Sequence, residues 1–391
     1  MRNFLRLHPT VIFLGIASLF NDVSSEIIYP LLPIFLTGYL GASYAFVGLV
    51  EGVAETTSSL LKLYSGYLSD RIGKKKGLTV IGYVISNFSR PLIGLITSPV
   101  MVLFLRFTDR VGKGIRTSPR DAIVASVSDE DSRGKAFGFH RAMDNLGAFI
   151  GAFIGFILLK IVGLDIKTIF IMVFIPGILS VLAVIFGVKN VDKEIAGNNK
   201  KVSLSLSPFR KDFKRYLLVV GLFTLGNSSD AFLLLKAKEC GVSDGYIPLL
   251  WMTLSLVRTI ISVPAGILSD KISRKMVIRI GWIIYAIVYI AFAYSSEAWH
   301  IWILFCIYGL YYSLTEGVEK ALVADLVSEE LRGTAYGMYN FIVGIMALPS
   351  SIICGLLWQR FGSPYALGFG ATLAVIASIL LVGVKSENNK G

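Results

Sequence analysis

Long apolar runs alternate with short polar loops from one end of the chain to the other. A membrane-crossing helix needs roughly 20 mainly apolar residues. Hydropathy places such runs at 10–36, 44–69, 77–97, 99–121, 135–160, 166–188, 216–238, 246–269, 275–295, 299–325, 333–360 and 364–384. The pattern predicts an all-α membrane protein with twelve transmembrane helices. The longest polar stretch, 189–215, holds Gly197-Asn198-Asn199-Lys200-Lys201 and Arg210-Lys211-Asp212-Phe213-Lys214-Arg215. It reads as a basic linker between a six-helix bundle at 1–188 and a second at 216–391.

Composition agrees. The 391 residues are 54% hydrophobic and 16% charged, where a soluble domain carries about a quarter charged residues. No large soluble domain fits in what remains. The net charge of +12 does not point to nucleic acid, because the Lys and Arg gather in alternate loops. Arg71 with Lys74 to Lys76, Arg133 with Lys135, the linker, Lys271 with Arg274 and Lys275, and Arg332 follow spans two, four, six, eight and ten. Loops 37–43 and 296–298 carry neither residue. By the positive-inside rule both termini are expected in the cytoplasm, in a plasma or bacterial inner membrane. Met1 to His8 is a basic lead into the first span without a small-residue cleavage site. Cys240, Cys306 and Cys354 lie far apart and form no metal spacing. No metal or cofactor is expected. Three scattered histidines and three scattered cysteines offer no nucleophile–base set, so an enzyme is not expected either.

One loop is written twice. Gly66-Tyr67-Leu68-Ser69-Asp70-Arg71-Ile72-Gly73-Lys74-Lys75-Lys76 returns as Gly266-Ile267-Leu268-Ser269-Asp270-Lys271-Ile272-Ser273-Arg274-Lys275. Likewise Ser132-Arg133-Gly134-Lys135-Ala136-Phe137-Gly138 matches Leu331-Arg332-Gly333-Thr334-Ala335-Tyr336-Gly337. Matching loops at matching places in the two halves indicate a duplicated bundle. Gly66 suits a close approach of two helices, and Asp70 suits a helix start.

The loop resembles the signature of the major facilitator superfamily: glycine, three residues, aspartate, a basic residue, one residue, glycine, then a basic pair. The first copy fits throughout; Ser273 replaces the glycine in the second. The resemblance implies two pseudo-symmetric six-helix bundles and transport by alternating access. It implies a gate built on Gly66, Asp70, Arg71, Gly73, Lys74 and Asp121, with Gly266, Asp270, Lys271 and Arg274 in the second copy and Arg116 and Arg120 nearby. It also places spans one, four, seven and ten around the central cavity. In span five, Gly147-x-x-x-Gly151-Ala152-x-x-Gly155 resembles the superfamily's antiporter signature, with Ala152 and Phe156 where that signature has proline and glycine. Plain close packing of small residues explains the glycines equally well.

Charges inside the membrane are costly and mark function by default. Asp22 and Glu26 share one face of span one; Pro30 and Pro33 beyond them predict a kink or break. Span two carries Glu51, Glu55 and Lys62. On span four Arg106, Arg110, Lys113, Arg116 and Arg120 form one cationic stripe, with Asp109 and Asp121 between. Span five opens on His140, Arg141 and Asp144. The second half has Asp230, Arg258, Glu316, Glu319 and Lys320, with Glu316 and Glu319 on one face with Tyr312 and Arg258 as a possible partner. Trp251, Trp282, Trp299 and Trp302 read as anchors or packing. The central set is Asp22, Glu26, Glu55, Arg106, Arg110, Asp144 and Glu316, with the Arg106–Arg110 face as the expected partner of Asp22 and Glu26. No G-x-x-x-x-G-K-[ST] loop is present, so energy must come from a gradient. Paired carboxylates favour protons. The reading is a monomeric, proton-coupled exporter of small organic molecules, of the drug or metabolite type. An uptake symporter for an anionic solute is the rival, on the strength of the span-four cations; a receptor is a third.

Overall fold

The computed structural model describes residues 7–72, 75–128, 133–189, 206–328 and 331–384, apart from the side chains of residues 67–72, Val263 and Asp270. Among these residues the chain is helical, without a strand. The earlier helices are α1 (Pro9–Ile28), α2 (Tyr44–Ile72), α3 (Lys75–Leu92), α4 (Pro99–Ser126), α5 (Arg133–Phe156), α6 (Ile166–Met172) and α7 (Phe174–Gly187). The later ones are α8 (Lys211–Gly226), α9 (Ala231–Glu239), α10 (Ile247–Lys271), α11 (Arg274–Tyr294), α12 (Ala298–Asp325), α13 (Arg332–Phe361) and α14 (Ser363–Leu381). Ten stretches among the described residues are long and apolar enough to cross a membrane. Two further helices, α2 with 29 residues and α4 with 28, have the length. Their charges keep them out of the apolar set: Glu51, Glu55 and Lys62 on α2, and the arginines on α4.

Two compact units emerge from the packing. One holds Met1–Phe35 with Thr57–Lys201; the other holds Leu36–Thr56 with Val202–Gly391. The first half of α2 thus packs with the second unit.

In the first unit α1 lies against α5 along the span-five glycines. A Cβ at Gly147 would sit 2.5 Å from the Leu19 carbonyl oxygen, and one at Gly151 2.7 Å from that of Val23. Backbone cannot yield at such distances, so glycine is what lets these helices touch. Between α3 and α4, Gly82 and Gly112 do the same to each other: a Cβ on either would stand 2.6 Å from the other's carbonyl oxygen. Val11, Leu14, Tyr83, Ile123, Val124, Val181 and Val184 fill the space that remains. The first span breaks beyond Ile28 into a turn at Leu32–Ile34 and a wider helical coil at Phe35–Tyr39, as its two prolines predict: each removes a backbone donor. The sixth span divides at Val173.

In the second unit the seventh span departs from the expected run at 216–238. It is two helices, α8 ending at Gly226 and α9 starting at Ala231. Asn227-Ser228-Ser229-Asp230 lies between them. Short polar side chains compete for backbone hydrogen bonds and favour helix ends; here the Ala231 N–H donates to Ser229 Oγ at 3.3 Å. A break inside hydrocarbon is tolerable only where other groups satisfy the freed backbone. The Tyr285 hydroxyl does so, donating to the Gly226 carbonyl at 3.0 Å. The first half of α2 joins this unit through Thr56, whose hydroxyl donates to the Gly344 carbonyl at 2.6 Å.

Candidate functional site

The first unit is organised around Asp109, 1% exposed. Arg90 Nε on α3 lies 2.9 Å from Oδ1; Arg106 Nη1 and Arg110 Nε on α4 lie 3.5 and 3.9 Å from Oδ2. Arg90 also donates to the carbonyl and side-chain oxygens of Asn21, at 3.0 and 3.1 Å, and to Asn87 Oδ1 at 3.1 Å. One guanidinium therefore ties α1, α3 and α4 together. About two turns further along α4, Arg116 donates to Ser86 Oγ at 2.8 Å and lies over the Tyr83 ring at 4.7 Å. Ser86 in turn donates to the Asp109 carbonyl at 2.8 Å.

A second chain of contacts follows. Arg120 pairs with Asp121 at 2.9 Å and donates to Ser18 Oγ at 3.3 Å. Ser18 donates to Asp144, and His140 Nδ1 stands 3.4 Å from the other oxygen of Asp144. Asp22 differs from Asp109. Among the described residues its carboxylate accepts a side-chain hydrogen bond from the neutral amide of Asn21, at 2.8 Å. The charges of Asp144, Glu26, Arg116 and Lys113 reach it. Arg116 and Lys113 stand on the same stripe of α4 as Arg106 and Arg110. Glu26 accepts from Ser25 at 3.4 Å, and Glu55 is exposed.

The second unit answers with aromatic hydroxyls. Asp230 accepts from Tyr308 and Tyr312, both at 2.7 Å. Arg258 pairs with Glu316 at 2.8 Å and lies over the Tyr312 ring at 4.3 Å. Glu319 faces elsewhere, accepting from Trp282 Nε1 at 2.9 Å and the Tyr339 hydroxyl at 2.6 Å. Trp282 is accordingly a buried donor, whereas Trp299 is 60% exposed. Tyr285 and Tyr289 stack at 4.0 Å, and Tyr308 and Tyr311 at 5.4 Å.

The two units are variations on one plan. The residue offset that relates Arg133 to Arg332 also carries Gly82 to Gly281, Gly112 to Tyr311 and Arg116 to Thr315. The contacts repeat with it: Gly82 closes on Gly112 and Arg116, Gly281 on Tyr311 and Thr315. By the same offset Arg90 becomes Tyr289, Asp109 becomes Tyr308 and Ser86 becomes Tyr285. Where one unit buries charge, the other buries tyrosine.

Of the gate residues, Asp70, Arg71, Gly73, Lys74 and Asp270 lie outside the described side chains. A Cβ at Gly66 would meet Ser118 at an ordinary 3.4 Å, and one at Gly266 would meet nothing among the described residues within 4 Å. Lys271 is exposed. Arg274 reaches α12, donating to Asp325 at 3.0 Å and to the Ala321 carbonyl at 2.8 Å.

The sequence profile of the Major Facilitator Superfamily matches residues 14–347 and 231–391. The chain belongs to the Major Facilitator Superfamily. A protein of Methanocaldococcus jannaschii named as an uncharacterised MFS-type transporter is 36% identical over 388 residues, covering 97% of this chain and 96% of its own. The multidrug resistance protein MdtH of Salmonella newport is 26% identical over 148 residues, 38% of this chain and 37% of that one. Among solved structures, the nucleoside transporter NupG superposes with a TM-score of 0.78 at 14% identity, covering 96% of this chain and 98% of that one. This MFS protein is a multi-pass membrane transporter for small molecules.

Sequence reasoning passed over Arg90 and Ser18, and read Asn21 only as one of the residues, with Ser24 and Ser25, that make span one polar. Arg90 was legible in principle, as a guanidinium inside an apolar run. The tyrosine layer had a signal too: Tyr285 with Tyr289, and Tyr308 with Tyr311 and Tyr312, recur at helical spacing.

Proposed function

We propose that this transporter exports small organic molecules in exchange for protons, by alternating access. The observation carrying the reading is Asp22. Its carboxylate is bonded to a neutral amide and stands near two other carboxylates, Asp144 and Glu26. It can gain and lose a proton without breaking an ion pair, which Asp109 cannot. The Ser18–Asp144–His140 chain beside it gives the proton further stations. The partial likeness to MdtH and the glycines of α5 favour export. A specific observation supports the rival uptake of an anionic solute: three guanidiniums crowd one carboxylate at Asp109.

Reconstituted vesicles separate the two. An exporter of this kind accumulates substrate from a compound panel when the lumen is acid, because protons leave as substrate enters. A symporter does so when the outside is acid. No response to either gradient overturns proton coupling.

The termini and linker are proposed to be cytoplasmic, from the loop charge bias. With Cys240, Cys306 and Cys354 replaced, Ser207→Cys should react with an impermeant maleimide only in permeabilised cells. Labelling of intact cells reverses the topology.

A further inference from the structure

Helices α10 and α12 carry two kinds of outward surface. Val257, Ile260 and Ile261 on α10 and Cys306, Ile307 and Leu310 on α12 line an open groove of apolar side chains alone. Such a groove suits acyl chains. Arg258 and Glu316 stand on other faces of the same two helices. They pair at 2.8 Å, and both side chains are open, 30% and 37% exposed. Neither is near a helix end: Arg258 is in the middle of α10, and Glu316 is more than two turns inside α12. Charge at that depth does not face lipid, so this surface fronts water. The pairs on Asp109 are sealed by contrast, with that carboxylate 1% exposed.

The Arg258 guanidinium is held in place but sparingly used. It lies over the Tyr312 ring at 4.3 Å, and the Tyr312 hydroxyl is itself fixed on Asp230 at 2.7 Å. A guanidinium has five N–H donors. Among the described residues this one makes a single hydrogen bond, from Nη2 to Glu316. The donors that remain include a two-toothed edge of the kind that matches a carboxylate. A Cβ at Gly317, next to Glu316, would meet nothing among the described residues within 4 Å, so there is room beside the pair.

We propose that this pair docks the transported molecule, and that the molecule is a small zwitterion of the amino-acid type, its carboxylate on Arg258 and its ammonium on Glu316. The inference rests on the transport reading above and names the chemistry of the cargo. A lone anion brought to Arg258 meets the Glu316 carboxylate 2.8 Å away, with Asp230 behind Tyr312. A lone cation brought to Glu316 meets the guanidinium. Either ligand sets like charge against one partner of the pair. A zwitterion presents each partner with the opposite sign and leaves no charge uncompensated.

The test is thermal unfolding of the purified full-length protein at fixed pH and ionic strength, titrating leucine, phenylalanine, β-alanine and γ-aminobutyrate. Each is run beside its two halves, such as phenylpropionate and phenethylamine for phenylalanine. A ligand of the folded state raises the unfolding temperature in a saturable way. At least one zwitterion should do so, and its halves should need at least about tenfold more, the scale of one lost hydrogen bond to a charged group. Arg258→Lys keeps the charge without the fork and should weaken the midpoint by about tenfold as well. Glu316→Gln should abolish the response. Thr259→Ala removes a neighbouring hydroxyl that donates to the Ser255 carbonyl, and should leave the midpoint in place. No response to any of the four zwitterions overturns the proposal. A half that works as well as its parent overturns it too, and makes the site one for an anion or a cation. So does an unchanged midpoint in Arg258→Lys, even if Glu316→Gln fails to fold. Binding is read without a gradient, so failure here leaves proton-coupled export standing with another cargo, and loss of proton coupling leaves this binding intact.

Discussion

Asp109→Asn is expected to destabilise the protein by about 3–5 kcal/mol, the cost of leaving buried charge uncompensated. The substitution preserves shape and an acceptor for Arg90, but takes away the carboxylate with which its buried guanidinium pairs. Low yield and an early unfolding transition in detergent are the expected readouts. Adding Arg90→Gln should recover part of the loss, because residues in one ion-pair network are not additive. A variant that unfolds like the parent yet fails to transport would show that Asp109 works in the cycle rather than in the fold.

The same chemical change on α1, at Asp22, should do the opposite. Asp22→Asn keeps the hydrogen bond from Asn21 and severs no ion pair at bonding distance, so it should unfold close to the parent and well short of the Asp109→Asn loss. Transport driven by a pH gradient should vanish, while downhill exchange of substrate continues. The neutral amide mimics a protonated acid that never unloads. A stable variant that still concentrates substrate removes Asp22 from the proton path and shifts attention to Asp144. An unstable one makes Asp22 a counter-charge for Arg116 and Lys113 instead. The two aspartates thus give paired experiments with opposite signatures.

Much of the fold was legible because hydropathy and loop charge are one-dimensional signals. The helices begin and end close to where apolar runs meet polar loops, and the doubled loop announced the family. Partnerships between helices were less legible. Arg106 and Arg110 meet Asp109 because successive helical residues turn by 100°, and which neighbour stands opposite depends on packing that a single span does not encode. Asn227 to Asp230 stood in plain view, yet averaging over a window of membrane length hides four polar residues among strongly apolar ones. Arg90 was overlooked because its span is otherwise uncharged between its termini, and an isolated cation draws less notice than a stripe.

The exchange of buried charge for tyrosine between the two units has an electrical consequence. A membrane potential does work on any charge displaced along its field, about 2.3 kcal/mol per elementary charge for a full 100 mV. The Arg90, Arg106 and Arg110 cluster around Asp109 carries net charge within a span. Tyr285, Tyr289, Tyr308 and Tyr311 at the matching places are neutral phenols. At these matching positions voltage therefore has a handle on the first unit's helix pair that the second unit's phenols do not offer. Two units that follow one plan have become electrically unlike at these positions, so a membrane potential does different work on the two when they move.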